Sequence, residues 1–170
     1  MHITSRHNPR VNQAARLRER RERERSRQIL IDGGREIRRA LAAGVRPQAA
    51  FVCEELCTGD DARAAAAELR SVAPEFFTLT PNVYEKLAYG ERDDGVVLVA
   101  ELPQRSLADI QLPPQPLVAV IEGVEKPGNL GAILRSADGA GVDAVILADP
   151  RTDLFNPNTI RASLGTVFRE

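Results

Sequence analysis

The residues of this 170-residue chain whose types and spacing could do chemistry gather between Gly123 and Arg135. Gly123 and Gly128 have the gap of a Walker loop, but Asn129 and Leu130 stand where that loop needs Lys and Ser or Thr. The dinucleotide fingerprint is absent too, since Gly128 and Gly131 supply only its last step. A P-loop NTPase and a nicotinamide enzyme therefore do not fit. What remains is a loop carrying Lys126, Asn129 and, further on, Arg135. Lys126 and Glu125 read as solvated loop charges. Elsewhere such residues are sparse. Cys53 and Cys57 form C-x-x-x-C with no second pair and no downstream His, which reads as reduced thiols rather than a metal site. The histidines, His2 and His7, fall in a terminal stretch expected to be mobile, so no catalytic histidine is evident.

The elements that must position Asn129 and Arg135 are legible around them. Leu117 to Ile121 is an unbroken apolar run rich in β-branched residues, the pattern of a strand buried on both faces. Gly123, Pro127 and Gly128 punctuate a loop, and Asn129 is the expected N-cap of a helix that ends near Gly139 and Gly141. A second strand is expected at Ala144–Leu147. This is a βαβ unit, and open α/β sheets bind ligands beyond the carboxyl ends of their strands. Further on, Asn156-Pro157 pairs a helix cap with a proline suited to the first turn, ahead of Arg161 and Ser163.

Two stretches carry a family resemblance. Pro127-Gly128-Asn129-Leu130-Gly131-Ala132-Ile133-Leu134-Arg135, followed by Gly141-Val142, resembles the first signature motif of the SpoU (TrmH-type) RNA 2′-O-ribose methyltransferases. Asn156 to Gly165 resembles a later one, in the expected order. The resemblance implies S-adenosylmethionine as methyl donor, RNA as substrate and a homodimer with the active site near the subunit interface. It assigns Arg135 the activation of the ribose 2′-hydroxyl, relayed through a substrate phosphate, and Asn129 the positioning of Arg135 or the RNA. Arg161 and Ser163 read either as functional, supporting the site residues or contacting RNA phosphates, or as plain structure. Outside the motif, Asn129 would read as a plain helix cap and Arg135 as a surface ion-pair partner. Gly131, Ala132, Ala137 and Ala140 keep the helix slim, for packing on the sheet or for the dimer contact.

The rest of the chain divides in composition. Residues 1–46 hold 13 Lys+Arg against 5 Asp+Glu, whereas residues 47–170 hold 10 against 19. Arg16 to Arg27 alternates Arg with Glu around a single strongly apolar residue, Leu17, which suits a helix held by Glu/Arg pairs but not one with a wide apolar face. It reads either as a solvated surface helix or as a phosphate-contacting one. Every cation before Lys86 is Arg, whose planar fork matches phosphate oxygens. The candidate RNA contacts are Arg6, Arg10, Arg16, Arg18, Arg21 and Arg25. Strands are expected at Gln28–Ile31, Ala49–Cys53, Phe76–Leu79 and Gly95–Glu101. They alternate with helices at Arg35–Ala43, from Asp60 or Asp61 as cap to Arg70, and from Thr80-Pro81 through Leu87 to Tyr89. Pro103 to Pro116 carries four prolines and reads as a semi-rigid linker.

The expected fold class is α/β. A small α/β sandwich (residues 1–102, an RNA substrate-binding domain with a basic N-terminal helix) closes its own core ahead of the linker (103–116). The first part of a SPOUT-type, trefoil-knot methyltransferase domain follows (117–170). The family's last two motifs, which supply most of the S-adenosylmethionine site and the knot, have no counterpart, so the 170 residues alone are expected to be inactive. Cofactor contacts therefore stay unassigned. No apolar run approaches a membrane span and the start has no signal-peptide core, so the chain reads as cytoplasmic. Two other readings stand beside the methyltransferase: a non-catalytic RNA-binding module, and an unrelated α/β enzyme using the Gly123–Gly131 loop for phosphate.

Overall fold

Strands β2 (Gln28–Asp32), β3 (Pro47–Val52), β4 (Glu75–Leu79) and β5 (Val96–Glu101) form within a residue or two of the expected runs. The structure, a computed structural model, describes residues 1–88 and 94–169. A further strand, β1 (His2–Ile3), completes a sheet of order β1-β4-β3-β5-β2. β1, β4 and β3 run parallel, and β5 lies antiparallel to β3 and β2.

Alternation along the strands splits the core into two layers. Ile29, Ile31, Ala50, Val52 and Leu98 pack beneath helices α3 (Gly34–Ala42) and α4 (Asp60–Val72). Leu30, Phe51, Val97 and Val99 pack beneath α1 (Pro9–Arg16) and α5 (Pro81–Leu87). Phe51 and Phe77 stack there with ring centroids 5.2 Å apart. The expected extension of α5 to Tyr89 lies outside the described residues.

Three local expectations are corrected. The N-terminal stretch is paired rather than free: β1 pairs with β4, Met1 donates its ammonium to the Phe76 carbonyl, and His2 Nδ1 lies 2.9 Å from Thr78 Oγ1. The helix expected over Arg16–Arg27 begins only at Arg20: α1 ends at Arg16, a turn follows, and α2 spans Arg20–Ser26. Asn8 caps α1 with Pro9 in its first turn, and α1 stops where Leu17, 2% exposed, enters the core. The cap of α4 is Gly59, with Asp60 and Asp61 in the first turn, where carboxylates favour the helix dipole.

Beyond the sheet, residues 104–117 are exposed, and Leu107 and Ile110 lie open to solvent. β6 (Val118–Glu122) and β7 (Ala144–Ala148) pair in parallel, with α6 (Pro127–Gly139) between them in sequence. β6 is not buried on both faces as its apolar run suggests. Val120 is 66% exposed, because a two-stranded sheet with one helix has cover on one side only.

The final described segment turns back. Helix α7 (Pro157–Ala162) and a 3₁₀ turn at Thr166–Phe168 lie against β2 and α3. Phe155, Ile160, Val167 and Phe168 enter the same apolar layer as Ile29, Ile37 and Leu98. The core of the first sheet therefore does not close ahead of the proline-rich segment. Its α3–α4 face leaves room beside α3 that residues 154–168 fill. Arg105 straps the exposed stretch to this segment by donating to the carbonyls of Phe168 and Arg169.

Candidate functional site

The two motif stretches form one unit. Pro127, which needs no backbone donor, opens α6 behind Lys126, so Asn129 sits inside the first turn rather than capping it. Leu130 and Ala137 point inward and are buried. Gly131 is the point of closest approach to α7. A Cβ there would lie 2.5 Å from Ala162 Cβ and 2.7 Å from the Thr159 carbonyl. Gly131 thus packs against α7 rather than the sheet. Thr159 Oγ1 lies within 3.3 Å of both the Pro127 and Asp153 carbonyls, joining α7 to the start of α6.

Asn129 and Arg135 are both exposed on α6. Helix geometry separates them by about 9 Å along the axis and roughly 120° around it, so they address adjacent faces and do not touch. Arg161 is half-buried on α7. Ser163 is wholly buried: its hydroxyl donates to the Ile160 carbonyl at 2.8 Å and accepts from Val167 N at 3.4 Å. The structure leaves it no surface for RNA, since it holds α7 to the following 3₁₀ turn. Glu125 lies 3.8 Å from Arg151, and both are exposed.

The arginines of the first 27 residues divide sharply. Arg16 and Arg21 are exposed. Arg25 is exposed and bonded to Glu22 at 2.7 Å, Arg10 to Glu75 at 2.8 Å, and Arg6 to Asn82 at 2.8 Å. Arg18 is half-buried and donates to the Lys86 and Ala88 carbonyls at 3.0 and 2.5 Å, which takes it out of the exposed set. Arg23, absent from the sequence-based candidates, is 1% exposed. It donates through Nε and Nη2 to Asp153 at 2.8 and 2.5 Å and through Nη1 to the Leu17 and Arg18 carbonyls. Nothing in an alternating Arg/Glu run marks which cation turns inward.

At the carboxyl ends of β6 and β7, Ile121, Val124, Leu130, Leu147, Pro150 and Thr152 line a cavity of about 10 Å³. A larger open cleft of about 600 Å³ lies between the carboxyl ends of α3 and α6, lined by Arg39, Gly44, Asp138, Gly165 and Arg169. Among the described residues no group of three His, Cys, Asp or Glu could hold a metal ion, and no helix is long and apolar enough to cross a membrane.

Both parts of the chain match known families. Residues 8–98 match the MRM3-like substrate binding domain, and residues 116–169 match the SpoU rRNA Methylase family. The chain is 28% identical over 166 residues to the 23S rRNA (guanosine(2553)-2′-O)-methyltransferase RlmP of Bacillus subtilis, covering 98% of itself and 62% of that protein. It superimposes on the crystal structure of an RNA 2′-O ribose methyltransferase with a TM-score of 0.86 and 40% identity, over 99% of this chain and 63% of that one. The SpoU methyltransferase AviRb of Streptomyces viridochromogenes, solved in complex with AdoMet, gives 0.81 and 29%, over 95% and 61%. The chain thus spans less than two thirds of each.

Proposed function

We propose, from the premise that this chain belongs to the SpoU rRNA methylase family and carries an MRM3-like substrate binding domain, that it grips ribosomal RNA and presents a ribose 2′-hydroxyl for methylation from S-adenosylmethionine. The observation that carries this reading is the union of the two motif stretches through Gly131 and Thr159, with Asn129 and Arg135 left exposed on α6. Exposed polar groups on a slim helix wedged against a second helix have no packing role there, which suits a substrate-facing pair.

Arg135 is the proposed activator. Arginine is a poor base, but a guanidinium beside a hydroxyl favours its anionic form and can hold the phosphate that takes the proton. Asn129 positions the RNA from the adjacent face. Arg6, Arg10, Arg16, Arg21, Arg25 and Arg161 are the proposed phosphate contacts, with Arg18 and Ser163 in structural roles. S-adenosylmethionine supplies the electrophilic methyl group in this family. The cavity at the carboxyl ends of β6 and β7, about 10 Å³, is far below the ~300 Å³ of an ordinary ligand pocket. None of the described residues is assigned a contact with the cofactor. A homodimer and a cytoplasmic location belong to the same proposal.

The test is a chimera that continues this chain with the remaining part of the Bacillus subtilis relative. Arg135→Ala in that chimera should keep cofactor binding and lose more than ~100-fold in methyl transfer to 23S rRNA, since the group acts in the transition state. Transfer within about tenfold of the parent would remove Arg135 from the mechanism.

The second reading, an RNA-binding module, is favoured by that same small cavity. Calorimetric titration of the 170 residues with S-adenosylmethionine is expected to give no saturable binding. Micromolar binding, with methyl incorporation into RNA, would show that they suffice for catalysis.

A further inference from the structure

We propose that Arg23 is a positioning residue that fixes the arginine helix α2 to α7, and through α7 to the first turn of α6. RNA held at α2 is thereby brought into register with Asn129 and Arg135. This inference rests on the RNA reading of Arg16, Arg21 and Arg25.

Arg23 is 1% exposed in a helix whose Arg20, Arg21 and Arg25 are all exposed. A cation leaves water only against a full set of partners. Arg23 has them: Asp153 Oδ2 takes Nε and Nη2 at 2.8 and 2.5 Å, and the Leu17 and Arg18 carbonyls take Nη1 at 2.7 Å each. Those carbonyls are freed where α1 ends. One guanidinium therefore sets the α1–α2 corner and holds a residue 130 positions away.

From Asp153 the connection continues. Its Oδ1 accepts from Phe155 N at 2.9 Å, and its carbonyl lies 3.3 Å from Thr159 Oγ1, which lies equally close to the Pro127 carbonyl. Pro127 opens the helix that carries Asn129 and Arg135. Gly131 leaves no gap between α6 and α7, so the two helices are in direct contact. The contacts from α2 to α6 are thus continuous and need a planar fork at their start. A lysine would keep the charge and lose the fork.

The experiment is amide hydrogen exchange on the 170-residue chain, with and without deproteinised 23S rRNA, in the parent, Arg23→Lys and Asp153→Asn. In the parent, RNA should slow exchange in residues 16–27 and also in 127–135 and 155–163, by about tenfold or more. In both variants RNA affinity should stay within about threefold and the slowing at 16–27 should persist, while the slowing at 127–135 and 155–163 disappears. A purely structural role would change exchange without RNA but not remove the response to it. Asp153→Asn keeps the side-chain shape but only one acceptor oxygen, so its NH2 group faces the N–H of either Arg23 or Phe155 and breaks the link from the other end; it remains informative if Arg23→Lys is poorly folded. Unchanged RNA-dependent slowing at 155–163 in either variant overturns the proposal. Slowing at 16–27 but not at 155–163 in the parent also overturns it, and leaves the RNA face standing. Absence of slowing at 16–27 with RNA bound removes the RNA face and the link together.

Discussion

Arg21 and Arg23 stand two positions apart in one Arg/Glu run, the first in solvent and the second in the core. At this scale the chain's chemistry follows from what surrounds each group. The same holds for the thiols. Burial, with Cys53 nearby, pushes the Cys57 thiol up to about 11. A thiol in the unfolded chain ionises near ~8.5, so above that pH the unfolded state releases a proton that the folded state keeps. The stability tied to Cys57 is complete below about 8.5 and is lost as pH rises through about 11. Two outcomes are expected: Cys57 reacts far more slowly than free cysteine with a thiol reagent at pH 8, and Cys57→Ser flattens the alkaline decline in denaturant midpoint. Fast labelling at pH 8 without unfolding would contradict the burial. Asn129 and Arg135 are readable as site candidates because their motif is contiguous. Arg23 and Asp153 are not, because a pair 130 residues apart has no local signature.

Among the elements, α1 and α2 carry the clearest prediction. Replacing Arg16, Arg21 and Arg25 with Gln should weaken RNA binding. It should also flatten the slope of log affinity against log salt by about 2, at roughly 0.7 for each phosphate that is no longer neutralised. Arg18 does not belong in that set, because its bonds to the Lys86 and Ala88 carbonyls tie α1 to α5. An unchanged slope in the triple variant would return these helices to a solvated surface. Strands β2 to β5, and helices α3 and α5, are legible from apolar runs and from Gly and Pro punctuation. β1 is not, since two residues are too short for any alternation to register. Nor is the break at Leu17, because charge alternation alone suits one helix as well as two.

For the molecule as a whole, the shared core matters most. Phe155, Ile160, Val167 and Phe168 contribute to the layer that covers Ile29, Ile37 and Leu98. Burial of each is worth about 1.5–3 kcal/mol as an upper bound. Residues 1–102 alone should therefore melt well below the 170-residue chain, by 10 °C or more at roughly 4–8 °C per kcal/mol, and should bind a hydrophobic dye. Equal melting temperatures would mean that the first sheet closes its own core. Patterning could not reveal this sharing: an amphipathic stretch declares that it has an apolar face, not which sheet will cover it.

That sharing also sets a schedule for synthesis. The last strand of the first sheet ends at Glu101, but the core beneath α3 is complete only when Phe168 arrives. At about 5–20 residues per second, the roughly 70 residues between them take several seconds to emerge. During that interval the nascent sheet displays an apolar groove beside α3, open to a chaperone, and no N-terminal domain of this chain is finished on the ribosome before the start of the next one has been made.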